Sequence, residues 1–145
     1  MLNQNINYTC LIFFNHDSMY RNKKFLFPRL INAIKKHNKK LVNEILSYNI
    51  HGDFSHADDI CNAIYKVILT KKRIKRLILS SNMCTAINNI VKFVIKKNKI
   101  NIKLNFKPKK RGKCLKGNNR LAKKIIKWKL KKSPFIAADE IYKNL

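Results

Sequence analysis

The sequence predicts an α/β protein, because strand-like runs alternate with segments of helical periodicity. Residues 7–14 form a continuous β-branched and aromatic run that ends in a polar cluster, which is the pattern of a buried strand followed by a loop. Residues 76–80 form a second strand-like run, and 100–104 is a short third candidate. The 145 residues suffice for one domain, and no internal repeat or flexible linker divides them.

Two helices are predicted between the first two strands. The first covers about residues 25–40, where apolar residues recur at helical spacing and Pro28 is tolerated in the first turn. A short apolar segment, 42–48, then leads into a turn that contains Gly52. Ser55, with Asp58 three residues later, has the spacing of a capping box and predicts a second helix that runs to about residue 70.

Three further helices are predicted after residue 80. The first covers 85–98 and is expected to bury Ile87, Ile90, Val91, Val94 and Ile95. Asn118 or Asn119 is expected to cap the next helix, which ends near Trp128. Ser133 is the expected cap of a last helix, because Pro134 stands at its first position.

The chain is strongly basic, with 33 Lys and Arg against 7 Asp and Glu, a net charge of +26. The six arginines are scattered, and the lysines alternate with Asn and Ile, whereas base-reading surfaces favour arginine forks. The densest basic run, 107–113, is interpreted as a solvated connector, with a nucleic-acid contact or a localisation signal as alternatives. A small protein that binds nucleic acid non-specifically is therefore the alternative function.

Several classes of protein and site are not expected. The three glycines, Gly52, Gly112 and Gly117, are too far apart for a phosphate-binding glycine loop. No run approaches the ~20 apolar residues of a membrane span, and no secretory signal is recognised, so a cytoplasmic protein is expected. The four cysteines form no close-spaced pair, so free thiols are expected and a zinc site is not.

Three blocks of the sequence carry a family resemblance. They are Phe14-Asn-His-Asp-Ser18 followed by Phe25-x-x-Pro-Arg29-Leu-Ile, then Gly52-Asp-Phe-Ser-His-Ala-Asp-Asp-Ile60, and finally Leu115-Lys-Gly-Asn-Asn-Arg-Leu-Ala-Lys-Lys-Ile-Ile-Lys-Trp128. In this order they resemble Phe-Asn-His-Glu-Ser … Phe-Val-Thr-Arg-Lys-Ile, Arg-Asp-Trp-Gly-His-Ala-Lys-Asp-Tyr and Leu-x-Gly-Asp-x-x-Lys-Ala-Lys-x-x-Leu-Gly-Trp. Those segments belong to the GDP-mannose 4,6-dehydratases, members of the extended short-chain dehydrogenase/reductases (the NAD-dependent epimerase/dehydratase superfamily).

The resemblance covers only the C-terminal half of that family. It implies a single partial domain, 1–145, with the last Rossmann-type strand and its loop at 1–24 and a substrate-binding and C-terminal helical part at 25–145. The dinucleotide-binding half, with its glycine fingerprint and its catalytic Ser/Thr, Glu and Tyr-x-x-x-Lys, precedes the first block in the family. Tyr20-Arg-Asn-Lys-Lys24 matches the last string but follows that block in a polar loop, so no catalytic residue is assigned.

Four residues receive binding roles from the resemblance. Asn15 and Arg29 match substrate-contacting positions, and His16 and Arg21 match positions that contact the cofactor, NADP in the intact family. The alternatives are a cap for Asn15, a loop hydrogen bond for His16 and solvated cations for the two arginines.

Two departures from the family pattern predict a loss of activity. Gly52 replaces an arginine beside the sugar nucleotide, and 107–110 reads Lys-Pro-Lys-Lys where the family has Arg-Pro-x-Glu. His56 is interpreted as a structural hydrogen-bonding residue. The expected function is that of a fragment of an NAD(P)-dependent sugar-nucleotide dehydratase or epimerase, inactive alone. Its expected partners are a GDP-sugar or related sugar nucleotide and either a separate N-terminal half or a second copy of the chain.

Overall fold

A computed structural model describes residues 8–110 and 112–145. The predictions for 1–7 and for Arg111 lie outside the described residues. The elements, in chain order, are β1 (Cys10–Phe13), β2 (Asn15–Asp17), α1 (Leu26–Lys35), α2 (Lys39–Ser47), β3 (His51–Gly52), β4 (Phe54–His56), α3 (Ala57–Leu69), β5 (Arg76–Leu79), β6 (Thr85–Ala86), α4 (Ile87–Lys97), α5 (Arg120–Ile126) and α6 (Pro134–Asn144).

The six strands form three two-stranded sheets. β1 pairs with β5 in parallel, with Cys10 opposite Arg76, and β2 pairs with β4 in parallel, with Asn15 opposite Phe54. β3 and β6 are antiparallel. Because β2 follows β1 after a single residue, the two parallel sheets adjoin at Phe14. The α/β class with parallel strands is therefore confirmed.

Two apolar clusters hold these elements together. The larger cluster joins α1, α2, α4 and α6 around fully buried residues such as Leu30, Ile34 and Val94. The smaller one packs α3 and α5 against β5 and includes Trp128, which has no exposed surface. The first cluster lies among the helices α1, α2, α4 and α6, and the second lies under the β1–β5 sheet.

Most predicted helices are present, with corrected ends. The first helix stops at Lys35 rather than continuing to residue 40, because His37 takes a left-handed conformation (φ 52°). The Asn38 side chain then accepts a hydrogen bond from the Leu41 N–H and starts α2. The predicted Ser55 cap is wrong: Ser55 lies in β4, and the imidazole of His56 accepts the hydrogen bond from the Asp58 N–H at the start of α3.

The strand predictions are confirmed only in part. β5 matches its prediction, but 100–104 contains no strand. That segment packs Ile100 and Leu104 on the larger apolar cluster, and Asn43 of α2 accepts a hydrogen bond from the Asn105 N–H. β1 exists but is not buried, because Cys10, Ile12 and Phe13 are exposed. A strand-like sequence does not reveal whether neighbours cover both of its faces.

The prediction of four free thiols is wrong for two of them. Cys84 and Cys114 form a disulfide that joins the loop before β6 to the connector before α5. Cys10 and Cys61 are free and exposed. Within the described ranges, no helix has the length and apolar character needed to cross a bilayer.

Candidate functional site

The candidate site lies where β1 passes into β2, at the carboxyl end of a parallel strand. Ligands of open α/β sheets bind at such ends. A pocket of about 460 Å³ opens there, lined by Ile12, Phe13, Phe14, Asn15, His16, Arg21 and Leu115. The structure thus brings together three of the four residues that the sequence predicted for ligand binding.

Asn15 and His16 are held by hydrogen bonds to the backbone. The Asn15 amide nitrogen donates to the Asp53 carbonyl at 3.3 Å, and the Ser55 hydroxyl donates to the Asn15 carbonyl at 3.3 Å. His16 Nδ1 lies 2.9 Å from the Phe14 carbonyl and must carry a proton to bond to it. In the neutral ring Nε2 is then the acceptor nitrogen. Both side chains are positioned by the sheet that carries them.

Arg21 supplies a guanidinium at the rim of this pocket. Its central carbon lies 3.7 Å from the centroid of the Phe25 ring, and its Nε lies 3.8 Å from Asp17 Oδ1. Neither Arg21 Nε nor Asp17 Oδ1 has a hydrogen-bond partner among the described residues, although both atoms are buried. The stacked guanidinium is therefore oriented with unused hydrogen-bonding capacity, which suits an anionic ligand.

Asp17 is a buried carboxylate beside these groups. Burial raises the pKa of Asp17 to about 6, although the nearby charges of Arg21 and His16 act in the opposite direction. Lost hydration makes the charged carboxylate costly, and Arg21 compensates for only part of that cost. The local charge of the site therefore changes between pH 5 and 7.

Arg29 lies elsewhere. It lines a separate pocket of about 340 Å³ with Lys24, Glu44 and Tyr48, and none of the residues of the first pocket lines this one. The structure thus does not place the fourth predicted residue in the same pocket as the other three.

Asp53 is the residue that sequence reasoning missed. Its side chain is fully buried, and its two oxygens accept four hydrogen bonds, from the Ser81 N–H and hydroxyl and from the N–H groups of Asn82 and Gly117. Its carbonyl also holds Asn15. Asp53 thereby ties the loop after β5 and the segment before α5 to the candidate site. Its place in the second resemblance block was the available signal.

Gly117 allows the segment before α5 to approach the site closely. A Cβ at Gly117 would lie 2.5 Å from the Ser80 side chain and 2.7 Å from the Phe14 ring. Such distances are too short for any side chain, so the Leu115–Gly117 segment reaches the pocket only because this residue is glycine.

At Gly52, too, a close neighbour leaves no space for a side chain. A Cβ there would lie 2.7 Å from the Phe54 ring. The ring of Phe54 therefore occupies the space into which a side chain at position 52 would extend. The guanidinium that the family places at this position is absent, and no room is left for it without movement of Phe54.

His56 forms hydrogen bonds that connect two helices. Its Nδ1 accepts from the Asp58 N–H, and its Nε2 lies 2.8 Å from a carboxylate oxygen of Glu140. Lys132 bridges the carboxylates of Asp58 and Glu140, at 2.7 and 3.1 Å. The hydrogen bond from Lys132 lowers the pKa of Asp58. The predicted structural role of His56 is confirmed: it joins α3 to α6.

Tyr20 and Lys24 do not form a catalytic pair. They lie in the turns between β2 and α1 rather than on a helix, and Tyr20 is 83% exposed. Among residues 8–110 and 112–145, no cluster of three His, Cys, Asp or Glu side chains could hold a metal ion.

Solved structures share this fold. The chain superposes on UDP-glucuronic acid 4-epimerase from Bacillus cereus, in complex with NAD, with a TM-score of 0.78 at 16% identity, covering 98% of this chain and 45% of that one. It superposes on RMD from Pseudomonas aeruginosa, complexed with NADPH, with a TM-score of 0.77 at 11% identity. That match covers 95% of this chain and 47% of RMD. For dTDP-glucose 4,6-dehydratase from Bacillus anthracis, in complex with NAD, the TM-score is 0.72 at 16% identity. That match covers 94% of this chain and 43% of the dehydratase. The chain thus spans a little less than half the length of these proteins.

Sequence comparison identifies the family. No curated protein matches the chain significantly. The family model described as GDP-mannose 4,6 dehydratase, however, matches residues 2–135, which is nearly the whole chain and includes all three resemblance blocks. The chain therefore belongs to the GDP-mannose 4,6-dehydratase family.

Proposed function

We propose that this chain is the sugar-nucleotide-binding part of an NAD(P)-dependent, GDP-mannose 4,6-dehydratase-like enzyme, and that it is inactive without a dinucleotide-binding part. The supporting observation is the pocket that joins Asn15, His16 and Arg21 at the carboxyl ends of parallel strands. In this proposal Asn15 and Arg29 contact the sugar nucleotide, while His16 and Arg21 contact the cofactor where the two parts meet. The cytoplasmic location stays a prediction of the sequence.

The described residues do not make a dinucleotide site of their own. A pyrophosphate is normally cradled by a glycine-rich turn at a helix N-terminus, and the chain's three glycines form no such turn. The pocket offers one guanidinium and one imidazole, enough for contacts at the edge of a larger ligand. Hydride transfer is therefore assigned to the other part of the enzyme, whether it lies on the same polypeptide or on a separate one.

What this chain supplies is orientation. An amide and a neutral imidazole acceptor can recognise hydroxyl groups, and a stacked guanidinium can form a bidentate pair with a phosphate. The mixed apolar and polar lining, with Phe13, Phe14 and Leu115, removes water from around those contacts. The GDP-sugar is the proposed substrate because the family match is to GDP-mannose dehydratases.

Calorimetry on the purified chain tests the binding role. We expect GDP-mannose to bind more tightly than GDP or mannose alone, and Arg29→Ala to weaken that binding by about 10-fold or more, since a charge-assisted hydrogen bond contributes ~1.5–3 kcal/mol. Arg73→Ala is the control, because it removes the same charge from a loop that lines neither the pocket of Arg29 nor that of Asn15.

Two results would contradict the proposal. Equal weakening by both arginine variants would indicate unspecific attraction to a +26 chain. Binding of random DNA that falls steeply with salt, together with no binding of GDP-mannose, UDP-glucose or dTDP-glucose, would favour the nucleic-acid alternative instead.

A further inference from the structure

The disulfide between Cys84 and Cys114 joins two segments that border the candidate site. Cys84 ends the loop after β5, and Cys114 lies in the connector before α5. Asp53 joins the same two segments, because its carboxylate accepts hydrogen bonds from the N–H groups of Asn82 and Gly117. The two segments therefore share two ties, and only the disulfide can be opened by a reductant.

The disulfide determines where Leu115 lies. Leu115 follows Cys114 directly and lines the pocket that contains Asn15, His16 and Arg21. Its side chain is 78% exposed and belongs to neither of the apolar clusters of the described residues. Packing therefore contributes little to holding Leu115 at the pocket, and the covalent bond of the neighbouring cysteine contributes much.

The connector has few other ties near this point. The Lys109 N–H donates to the Ser47 carbonyl, and the Gly117 N–H donates to Asp53. Between these two anchors, among the described residues 110 and 112–116, the disulfide is the one bond to another part of the chain. Reduction would therefore release the span that contains Leu115, while Asp53 continues to hold the end of that span.

The connector also runs between the two pockets assigned to the sugar nucleotide. At one end Lys109 Nζ lies 4.5 Å from the centroid of the Tyr48 ring, and Tyr48 lines the pocket of Arg29. At the other end Leu115 lines the pocket of Asn15. A ligand held by both Asn15 and Arg29 is therefore sensitive to the position of this connector.

We propose that the Cys84–Cys114 disulfide is a redox switch: the oxidised chain fixes Leu115 in the pocket wall and binds the sugar nucleotide tightly, and the reduced chain releases the connector and binds it weakly. This inference rests on the proposed function, since it assigns a regulation to the same site. Two effects act in this direction. A fixed Leu115 excludes water from the polar contacts, and a released connector loses conformational entropy each time a ligand orders it.

The reductant is a dithiol protein of the thioredoxin class. One of its thiolates attacks Sγ of Cys84, the exposed member of the pair, and Cys114 leaves as a thiolate that takes up a proton. The second thiol of the reductant then attacks the mixed disulfide, and the Cys84 thiol is released. Two electrons and two protons pass to this chain, and the reductant is left with its own disulfide.

Calorimetry with GDP-mannose on the oxidised and the reduced chain tests the switch. Iodoacetamide labelling of the denatured protein verifies each state, with two thiols expected after treatment with oxidised dithiothreitol and all four cysteines after treatment with dithiothreitol. We expect reduction to weaken the binding by about 5-fold or more, within the usual range of coupling between two sites. Reoxidation should restore it.

Two double variants serve as partners in this experiment. Cys84→Ser with Cys114→Ser should bind GDP-mannose as weakly as the reduced native chain does, with or without dithiothreitol. Cys10→Ser with Cys61→Ser is the matched control, because it removes two exposed cysteines that line neither the pocket of Asn15 nor that of Arg29. The control should respond to dithiothreitol as the native chain does.

Trypsin digestion measures the release of the connector without any ligand. Reduction should accelerate cleavage after Lys113 and Lys116, both exposed, which lie on either side of Cys114 and Leu115. Cleavage after Lys71, which is exposed in the loop between α3 and β5, should keep its rate, because the disulfide does not tie that loop.

Four results would overturn the switch: four thiols after treatment with oxidised dithiothreitol, equal affinity for GDP-mannose in both states, unchanged cleavage of the connector, or faster cleavage in both loops. The last would mean that reduction unfolds the whole domain. The two proposals fail in different ways. Equal binding in both states would keep the proposed function and reject the switch. Cleavage that responds to reduction, with no binding in either state, would reject the function and keep the redox-controlled connector.

Discussion

Replacing Asp53 with asparagine should destabilise the protein strongly, although it changes the shape of the side chain very little. Whichever oxygen becomes the NH2 group, two donors lose their acceptor: the Ser81 N–H and hydroxyl on one side, or the N–H groups of Asn82 and Gly117 on the other. Hydrogen bonds to a charged group contribute ~1.5–3 kcal/mol each, so the loss of two is about 3–6 kcal/mol. That is a large part of the ~5–15 kcal/mol that stabilises a typical domain.

Urea denaturation followed by circular dichroism measures this loss. Asp58→Asn is the matched control, because Asp58 is 58% exposed and exposed ion pairs contribute little. A change of less than about 1 kcal/mol for Asp53→Asn, or equal effects of the two variants, would refute the assignment of Asp53 as the junction of the two loops. We also expect folded Asp53→Asn to bind GDP-mannose more weakly, since the Asp53 carbonyl holds the Asn15 amide.

Three further predictions follow from buried groups. Gly117→Ala should cost ~1–3 kcal/mol because its methyl group would collide with Ser80, whereas Gly112→Ala, with nothing within 4 Å, should be neutral in the same thermal melt. Trp128→Phe should cost about 2–4 kcal/mol by urea denaturation, since it leaves space in the core and removes the 2.8 Å bond from the indole N–H to the Asp59 carbonyl. Burial raises the pKa of Asp17 to about 6 in the folded state, above its unfolded value of 3.8, so this group lowers stability increasingly as the pH rises from about 4 to 6. Asp17→Asn should therefore gain stability relative to the native chain over that interval, up to about 3 kcal/mol, and a pH-independent difference would contradict this reasoning.

The helices could be predicted well from the sequence because their signals are local. The spacing of Ile87, Ile90 and Val94 indicates α4, and Pro134 marks the first position of α6. The failures occur where a distant residue decides the structure. The sequence from Ile100 to Leu104 suits a strand, but its backbone bonds to helices instead: the Ile100 N–H donates to the Ile95 carbonyl, and the Asn105 N–H donates to the Asn43 side chain. The segment therefore packs on helices without forming a ladder.

The candidate site was predictable only as far as the resemblance extended. Asn15, His16 and Arg21 stand close together in the sequence, and the turn after β2 brings them to one pocket. Arg29 follows them on α1, which carries it to a different pocket. The role of Asp53 depends on donors 28, 29 and 64 residues away, and the disulfide joins cysteines 30 residues apart. No local pattern encodes either contact.

The pairing of β1 with β5 also sets an order of events during synthesis. Cys10 lies opposite Arg76, so β1 leaves the ribosome 66 residues before its partner strand exists. At ~5–20 residues per second, that delay lasts about 3–13 s. During this time both edges of an apolar strand are without their native partner, which is the condition under which nascent chains aggregate. Chaperones that hold the first dozen residues should therefore increase the yield of folded protein more than those that act after release.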